Sequence, residues 1–179
     1  MGFIDDRKEY EIENMYPKRP WMNYLWNEEY VTCIDQFGTG SSIMKAEHGF
    51  QREIIRPGED RLIYIKENGD TYCVNKNNKR LDFDIYKTVV GMGYSKIISE
   101  YKGICSELLI FVPNKGKREC WQLTLTNKKD YERELDIYAF VDVNSRIGWH
   151  LPCNNDTFET SVNGVCFQHI AYNSPTKYH

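Results

Sequence analysis

Bond-making and bond-breaking groups are scarce in these 179 residues. Acid/base work needs two placed carboxylates, or a histidine with an orienting partner. The available acidic pairs are Asp5-Asp6, Glu28-Glu29, Asp82-x-Asp84 and Glu132-x-Glu134. The last two are same-face strand pairs flanked by Lys or Arg, which reads as solvated surface. Glu28-Glu29 stands beside an aromatic run and is the one pair that merits weighing as chemistry. No nucleophile motif is present, and no Ser, His or Cys triad assembles from spacing. The chain offers surfaces for holding a ligand rather than machinery for breaking one.

Two such surfaces stand out. Trp21, Tyr24 and Trp26, with Asn23 and Asn27, have the residue types to stack a sugar ring and bond its hydroxyls, although core packing near a domain edge is the preferred reading. The second is the long stretch 144–158. There Trp149 suits the apolar face of a ring, while Arg146, Asn154, Asn155 and Asp156 suit its hydroxyls. A long loop in a short-turn fold is where function concentrates, so these five are the expected substrate-binding residues. His150-x-x-Cys153 and Cys166-x-x-His169 mirror each other as soft ligands. Cys166 lies in a strand-like run that fixes its side chain in the core, so no metal and no other cofactor is expected. Gly38-x-Gly40 lacks a following Gly-Lys-Thr/Ser or helix, and reads as a turn with positive-φ glycines.

The elements that must position these groups read as strands. Cys120-Trp-Gln-Leu-Thr-Leu-Thr126 alternates strictly, with Trp121, Leu123 and Leu125 on one face. Leu135, Ile137, Ala139, Val141 and Val143 mark a second arm, and the two read as an antiparallel hairpin across Asn127–Asp130. The outer face of that arm carries Tyr138 and Phe140, which expect a cover. Further strands are expected at 9–12, 30–34, 51–56, 61–65, 71–74, 83–90, 94–99, 104–112 and 165–171. Pro57-Gly58, Asn68-Gly69, Gly91-Met-Gly93, Lys102-Gly103 and Pro113–Gly116 break them. Residues 144–160 read as a loop. Strands every 8–12 residues, with no convincing helix, predict one all-β domain over 1–179, an antiparallel β-sandwich.

Composition narrows the classes. A net charge of −3 with scattered Lys and Arg gives no basic stripe, so nucleic acid is not an expected partner. No apolar run approaches the roughly twenty residues needed to span a bilayer. Met1-Gly-Phe-Ile-Asp-Asp6 has no basic stretch followed by an apolar one, which reads as no signal peptide and a cytoplasmic chain. Six cysteines then read as reduced thiols, with Cys33, Cys105, Cys120 and Cys166 as core filler.

The ordered set of motifs carries a resemblance. Gly2-Phe-x-Asp5 and Glu9-Tyr10 lead to Pro20-Trp-x-Asn-Tyr-Leu25-x-Asn-Glu28. Then come Gly38-x-Gly40-Ser41, Gly91-x-Gly93-Tyr94, Phe111-Val-Pro113, Trp121-x-Leu-Thr-Leu-Thr-Asn127 and Phe140-Val141. Together they resemble the N-terminal domain of inverting glycoside phosphorylases of the cellobiose and chitobiose phosphorylase type. The resemblance implies a large sandwich like the galactose mutarotase fold. It implies that a helical barrel outside these residues holds the general acid and the phosphate pocket, and that oligosaccharide and inorganic phosphate are the partners of that barrel. It also implies a homodimer in which segment 144–158 reaches an active-site mouth. Two other readings stay open: a freestanding sugar-binding module, and a structural or dimerisation domain.

Overall fold

The computed structural model describes residues 2–4, 8–14, 16–45, 51–59, 61–76, 81–141, 146–147, 151–152, 156–161, 164–170 and 177–178, with side chains at 8–14, 16–45, 51–57, 61–76 and 81–141. Among the described residues every regular element is a strand. In chain order they are β1 (Gly2–Ile4), β2 (Glu9–Ile12), β3 (Asn23–Trp26), β4 (Tyr30–Ile34), β5 (Gly40–Lys45) and β6 (Gln51–Glu59). There follow β7 (Arg61–Glu67), β8 (Asp70–Cys73), β9 (Ile85–Gly91), β10 (Tyr94–Tyr101), β11 (Ile104–Phe111), β12 (Cys120–Asn127) and β13 (Asp136–Val141). The last five are β14 (Arg146–Ile147), β15 (Leu151–Pro152), β16 (Asp156–Ser161), β17 (Gly164–Ile170) and β18 (Lys177–Tyr178). The fold is all-β and antiparallel, as expected. No helix among the described residues is long and apolar enough to cross a membrane. The chain divides into two compact units, Met1–Asp142 and Val143–His179.

The first unit holds three sheets, ordered β1-β2-β9-β10-β11-β12, β3-β4-β5-β6 and β13-β7-β8. Its meander β9 to β12 follows from turn chemistry. Gly91 pairs with Tyr94 around Met92-Gly93, and Tyr101 pairs with Ile104 around Lys102-Gly103. Lys102 and Gly103 both have positive φ (52° and 79°), as do Asn68 and Gly69 (48° and 83°) between β7 and β8. That is the two-residue turn whose twist matches the flanking strands. Gly38 also has positive φ (77°), in the turn between β4 and β5. There the Asp35 carboxylate accepts from the N–H groups of Phe37 (2.8 Å) and Thr39 (2.9 Å). The Gly38-x-Gly40 motif is thus a strand-to-strand turn, as read.

Apolar alternation directs one face of each sheet inward. Leu25 and Ile34 from the four-stranded sheet meet Ile63, Ile65 and Tyr72 from the three-stranded one. Ile97, Ile104, Leu108 and Ile110 from the six-stranded sheet complete the core. In β12, Trp121, Leu123 and Leu125 lean on that core while Gln122, Thr124 and Thr126 are exposed, as the pattern required.

The expected hairpin of β12 and β13 does not form. β12 pairs with β11, Phe111 opposite Cys120, and β13 pairs with β7, Asp136 opposite Lys66. Alternation states which face a strand buries and carries no information about its partner. The link between them is held elsewhere: the Asn127 side chain donates to the Tyr131 carbonyl (2.7 Å), and Arg133 reaches the Lys102 carbonyl (2.9 Å) and Glu67 (2.6 Å). Leu135 packs on the core, but all six residues of β13 are exposed. β6 also differs from expectation, because it runs through Pro57-Gly58 to Glu59. Pro is tolerated there because β6 is an edge strand. Cys33, Cys105 and Cys120 are half-buried rather than core filler, and the fully buried described thiol is Cys73. Cys166 has no described side chain.

In the second unit β14 pairs with β15, and β16, β17 and β18 form a three-stranded sheet. The stretch 144–160, expected as a loop, therefore contains β14, β15 and most of β16. Thr157-Phe-Glu-Thr-Ser161 is polar enough to hide its pairing with β17 from an apolar pattern. Ser161 pairs with Gly164 at the end of the β16–β17 ladder.

Candidate functional site

The five expected substrate-binding residues fall in the second unit. Arg146 opens β14, with Pro152 as its cross-strand neighbour, and Asp156 opens β16 opposite His169. The two belong to separate sheets of strands rather than to one loop, and the description of both ends at the backbone. Trp149, Asn154 and Asn155 lie outside the described residues, as do His150 and Cys153. Cys166 and His169 lie on β17, where their backbones pair with Glu159 and Asp156.

The aromatic run departs from the preferred core reading. In β3, Asn23 and Leu25 point inward, and Leu25 is fully buried. Tyr24 (64% exposed) and Trp26 (71%) point out, and Trp21 and Met22 are exposed beside them. Across the sheet Tyr24 neighbours Cys33, and Trp26 neighbours Val31, which neighbours Ile43. These side chains make an uncovered apolar row on the outer face of the four-stranded sheet. Asn23 and Asn27, the expected hydroxyl partners, are already engaged. Asn23 donates to the Tyr94 carbonyl (3.1 Å) and the Ser95 hydroxyl (2.9 Å). Asn27 donates to the carbonyls of Pro113 (2.7 Å) and Gly116 (2.8 Å) and caps the N–H groups of Glu29 and Tyr30. These amides hold the strand in place and leave the face above it apolar.

The acidic pairs separate by environment. Glu28 is exposed, while the Glu29 carboxylate accepts from the Gly116 N–H (3.2 Å) and serves a turn. Asp82, Asp84, Glu132 and Glu134 are exposed, as read. Asp5 and Asp6 lie outside the described residues. Glu67, which the sequence did not single out, is held below the usual carboxylate range by hydrogen bonds from Arg133.

The described groups with the most unusual environment form a buried cluster that sequence reasoning missed. Arg61 and Glu119 lie 2.6 Å apart with side chains 0% and 8% exposed. The Glu119 carboxylate also accepts from the Ser42 hydroxyl (2.6 Å), the Trp121 indole N–H (2.9 Å) and the Tyr30 hydroxyl (3.2 Å). Arg61 donates further to the hydroxyls of Thr32 (3.0 Å) and Ser42. Burial opposes ionisation of Glu119, but the Arg61 guanidinium, the Ser42 hydroxyl and the Trp121 N–H outweigh it, so the carboxyl stays below its ordinary range. Burial, then the Glu119 charge, push the Tyr30 hydroxyl up. A carboxylate that accepts from four side chains and is only 8% exposed is held ionised and has no proton to give. It is built to hold strands. The nearest sequence signal was an arginine heading the apolar strand Arg61-Leu-Ile-Tyr-Ile65. Burial also raises the thiols of Cys73 and Cys105, which keeps them protonated and poorly nucleophilic.

A second uncovered surface is β13, an edge strand with Ile137, Tyr138, Phe140 and Val141 between 42% and 51% exposed. Tyr138 and Phe140 stand outward, as expected. Ile137, Ala139 and Val141, expected inward, are exposed as well. The described chain thus presents contact surfaces, and its buried ionisable groups are committed to structure.

Comparison with known proteins gives these surfaces a setting. A family model described as glycosyl hydrolase 94, supersandwich domain, matches residues 8–168. The chain is 28% identical over 150 residues to a solabiose phosphorylase of Paenibacillus borealis, covering 79% of this chain and 20% of that protein. It is 31% identical over 173 residues to a 3-O-beta-D-glucopyranosyl-beta-D-glucuronide phosphorylase of the same organism, covering 95% of this chain and 22% of that protein. It is 22% identical over 151 residues to the cyclic beta-(1,2)-glucan synthase NdvB of Rhizobium meliloti (strain 1021), covering 79% of this chain and 5% of that protein. The chain spans about a fifth of the length of the two phosphorylases it matches.

Proposed function

The chain belongs to the glycosyl hydrolase 94 supersandwich domain family, and from that premise we propose that it is the non-catalytic N-terminal domain of a glycoside phosphorylase cleaving β-linked oligosaccharides. Inorganic phosphate is the attacking group, and the products are a sugar 1-phosphate and a shortened sugar. Phosphate is itself a nucleophile, so a single general acid on the leaving oxygen suffices, and no second carboxylate need activate water. The observation that carries this reading is the family match across 8–168, joined to two relatives whose names are phosphorylases. The buried state of Glu119 and Arg61 supports a structural role. The uncovered rows at Tyr24-Trp26 and on β13 support a domain that works against other protein.

In this reading Arg146, Trp149, Asn154, Asn155 and Asp156 line the sugar end of an active-site mouth, and the complete enzyme is a cytoplasmic homodimer. The two phosphorylase relatives are named for different disaccharides. We therefore read the domain as a shared scaffold whose 144–158 segment varies with the sugar. The test is phosphate dependence. The complete polypeptide should release sugar 1-phosphate from a β-linked disaccharide only when phosphate is supplied. Release of free sugar without phosphate would make it a hydrolase and end the proposal.

A second reading is favoured by one observation, the exposure of Tyr24 and Trp26 two residues apart on one strand face. That face suits a sugar-stacking module. Calorimetry of the chain with β-linked disaccharides separates the two, since the first reading expects no binding heat at this face and no change on Trp26→Ala.

A further inference from the structure

The Arg61–Glu119 cluster stands where three sheets meet. Tyr30 and Thr32 come from β4, Ser42 from β5 and Arg61 from β7. Glu119 directly precedes β12, and Trp121 lies within it. The cluster also reaches the turn between β4 and β5, because Arg61 lies 3.4 Å from the Gly38 carbonyl. Six side chains and one backbone carbonyl are tied by directional bonds beside the apolar cluster of the core. The buried Asn75 side chain adds bonds from the β4–β5 turn to β7, but only to backbone groups.

Apolar contact does not by itself choose an alignment. It is non-directional and scales with area. One sheet displaced along another by two residues, roughly 6.6 Å, keeps every inward side chain inward. β7 is especially permissive, since Leu62, Ile63 and Ile65 are all buried and its apolar run faces both ways. The cluster is not permissive. Displacing β7 by two residues would remove Arg61 from Glu119, Thr32 and Ser42 together, leaving a buried guanidinium and a buried carboxylate unpaired.

We propose that the Arg61–Glu119 cluster is an alignment pin, which selects one face-to-face registration of the three sheets and contributes little net stability. Desolvation of two charges offsets most of their attraction, so the net gain is small while the penalty for misalignment is large. The fork geometry of arginine makes the pin directional, where an ammonium would act as a point charge.

The test uses the 179-residue chain with labelled isoleucine methyl groups and two variants. In the first, Arg61→Met with Glu119→Leu, the domain should stay folded with a thermal midpoint at or above that of the parent. Its Ile34, Ile63 and Ile97 methyls should each give more than one signal, because several alignments are populated. In the second, Arg61→Lys, the charge stays and the fork is lost, and the same methyls should again split. A single parent-like set of signals in the folded double variant overturns the proposal. If the double variant fails to fold, Arg61→Lys decides: split signals support the pin, and a single parent-like set overturns it.

Discussion

Arg61 Nε sits 2.6 Å from Glu119 Oε1, which ties the head of β7 in the three-stranded sheet to the residue that directly precedes β12 of the six-stranded sheet. Removing one partner leaves the other charged, buried and unpaired. Arg61→Met alone or Glu119→Leu alone should therefore cost about 3–5 kcal/mol, far more than the two together. Urea unfolding of the four proteins forms the cycle that checks this. Additive losses would show that the two groups act independently.

The same pair sets an acid dependence. The folded Glu119 carboxyl lies below its ordinary value of 4.5. As pH falls below about 4.5 the unfolded chain takes the proton first, so the contribution of Glu119 is fully present above that pH and is lost as pH drops through the folded value. Against Glu119→Gln, the parent should show a steeper loss of urea midpoint below pH 4.5. Parallel curves in that window would remove Glu119 from the acid response.

Two glycines separate conformational strain from collision. Gly93 has a φ of 95° with open space where a β-carbon would stand. Gly93→Ala should cost about 1–2 kcal/mol, the strain of a side chain in left-handed backbone. At Gly40 a β-carbon would meet the Cys33 carbonyl oxygen of the neighbouring strand. Gly40→Ala should cost about 3 kcal/mol or more, because the obstruction is backbone and cannot rotate away. Equal losses in thermal unfolding would contradict the reading of Gly40 as a close-approach position.

Strand β13 has apolar residues on both faces and no proline or lysine to guard its edge. Tyr138→Lys with Phe140→Lys should lower the self-association of the chain in sedimentation while changing stability by no more than about 0.5 kcal/mol. A large loss of stability would mean that these side chains are buried in solution.

Much of the fold is legible because turn chemistry and alternation are local. Asn68-Gly69 and Lys102-Gly103 announce tight hairpins, and Tyr30–Ile34 shows its burial pattern directly in its residues. Pairing is not local, and β13 finds β7 some seventy residues earlier, where no pattern could point. The aromatic run misled for a related reason. Leu25 takes the core position, so Tyr24 and Trp26 must face out, and the flanking Asn23 and Asn27 hold neighbouring backbone. The Arg61–Glu119 pair lies 58 positions apart and leaves only the oddity of an arginine heading an apolar strand. The 144–158 reading rested on a loop that is partly strand, and its proposed contacts stand on Trp149. In the complete enzyme Trp149→Ala should weaken disaccharide binding without lowering the thermal midpoint, and unchanged KM and kcat would remove the segment from the site.

The most direct measurement is phosphorolysis by the 179-residue chain itself. Incubated with β-linked disaccharides and inorganic phosphate, it should release no sugar 1-phosphate above the uncatalysed rate, because on the proposed function the general acid and the phosphate pocket lie outside these residues. Turnover that is first order in this chain and lost with a single carboxylate variant would contradict the account.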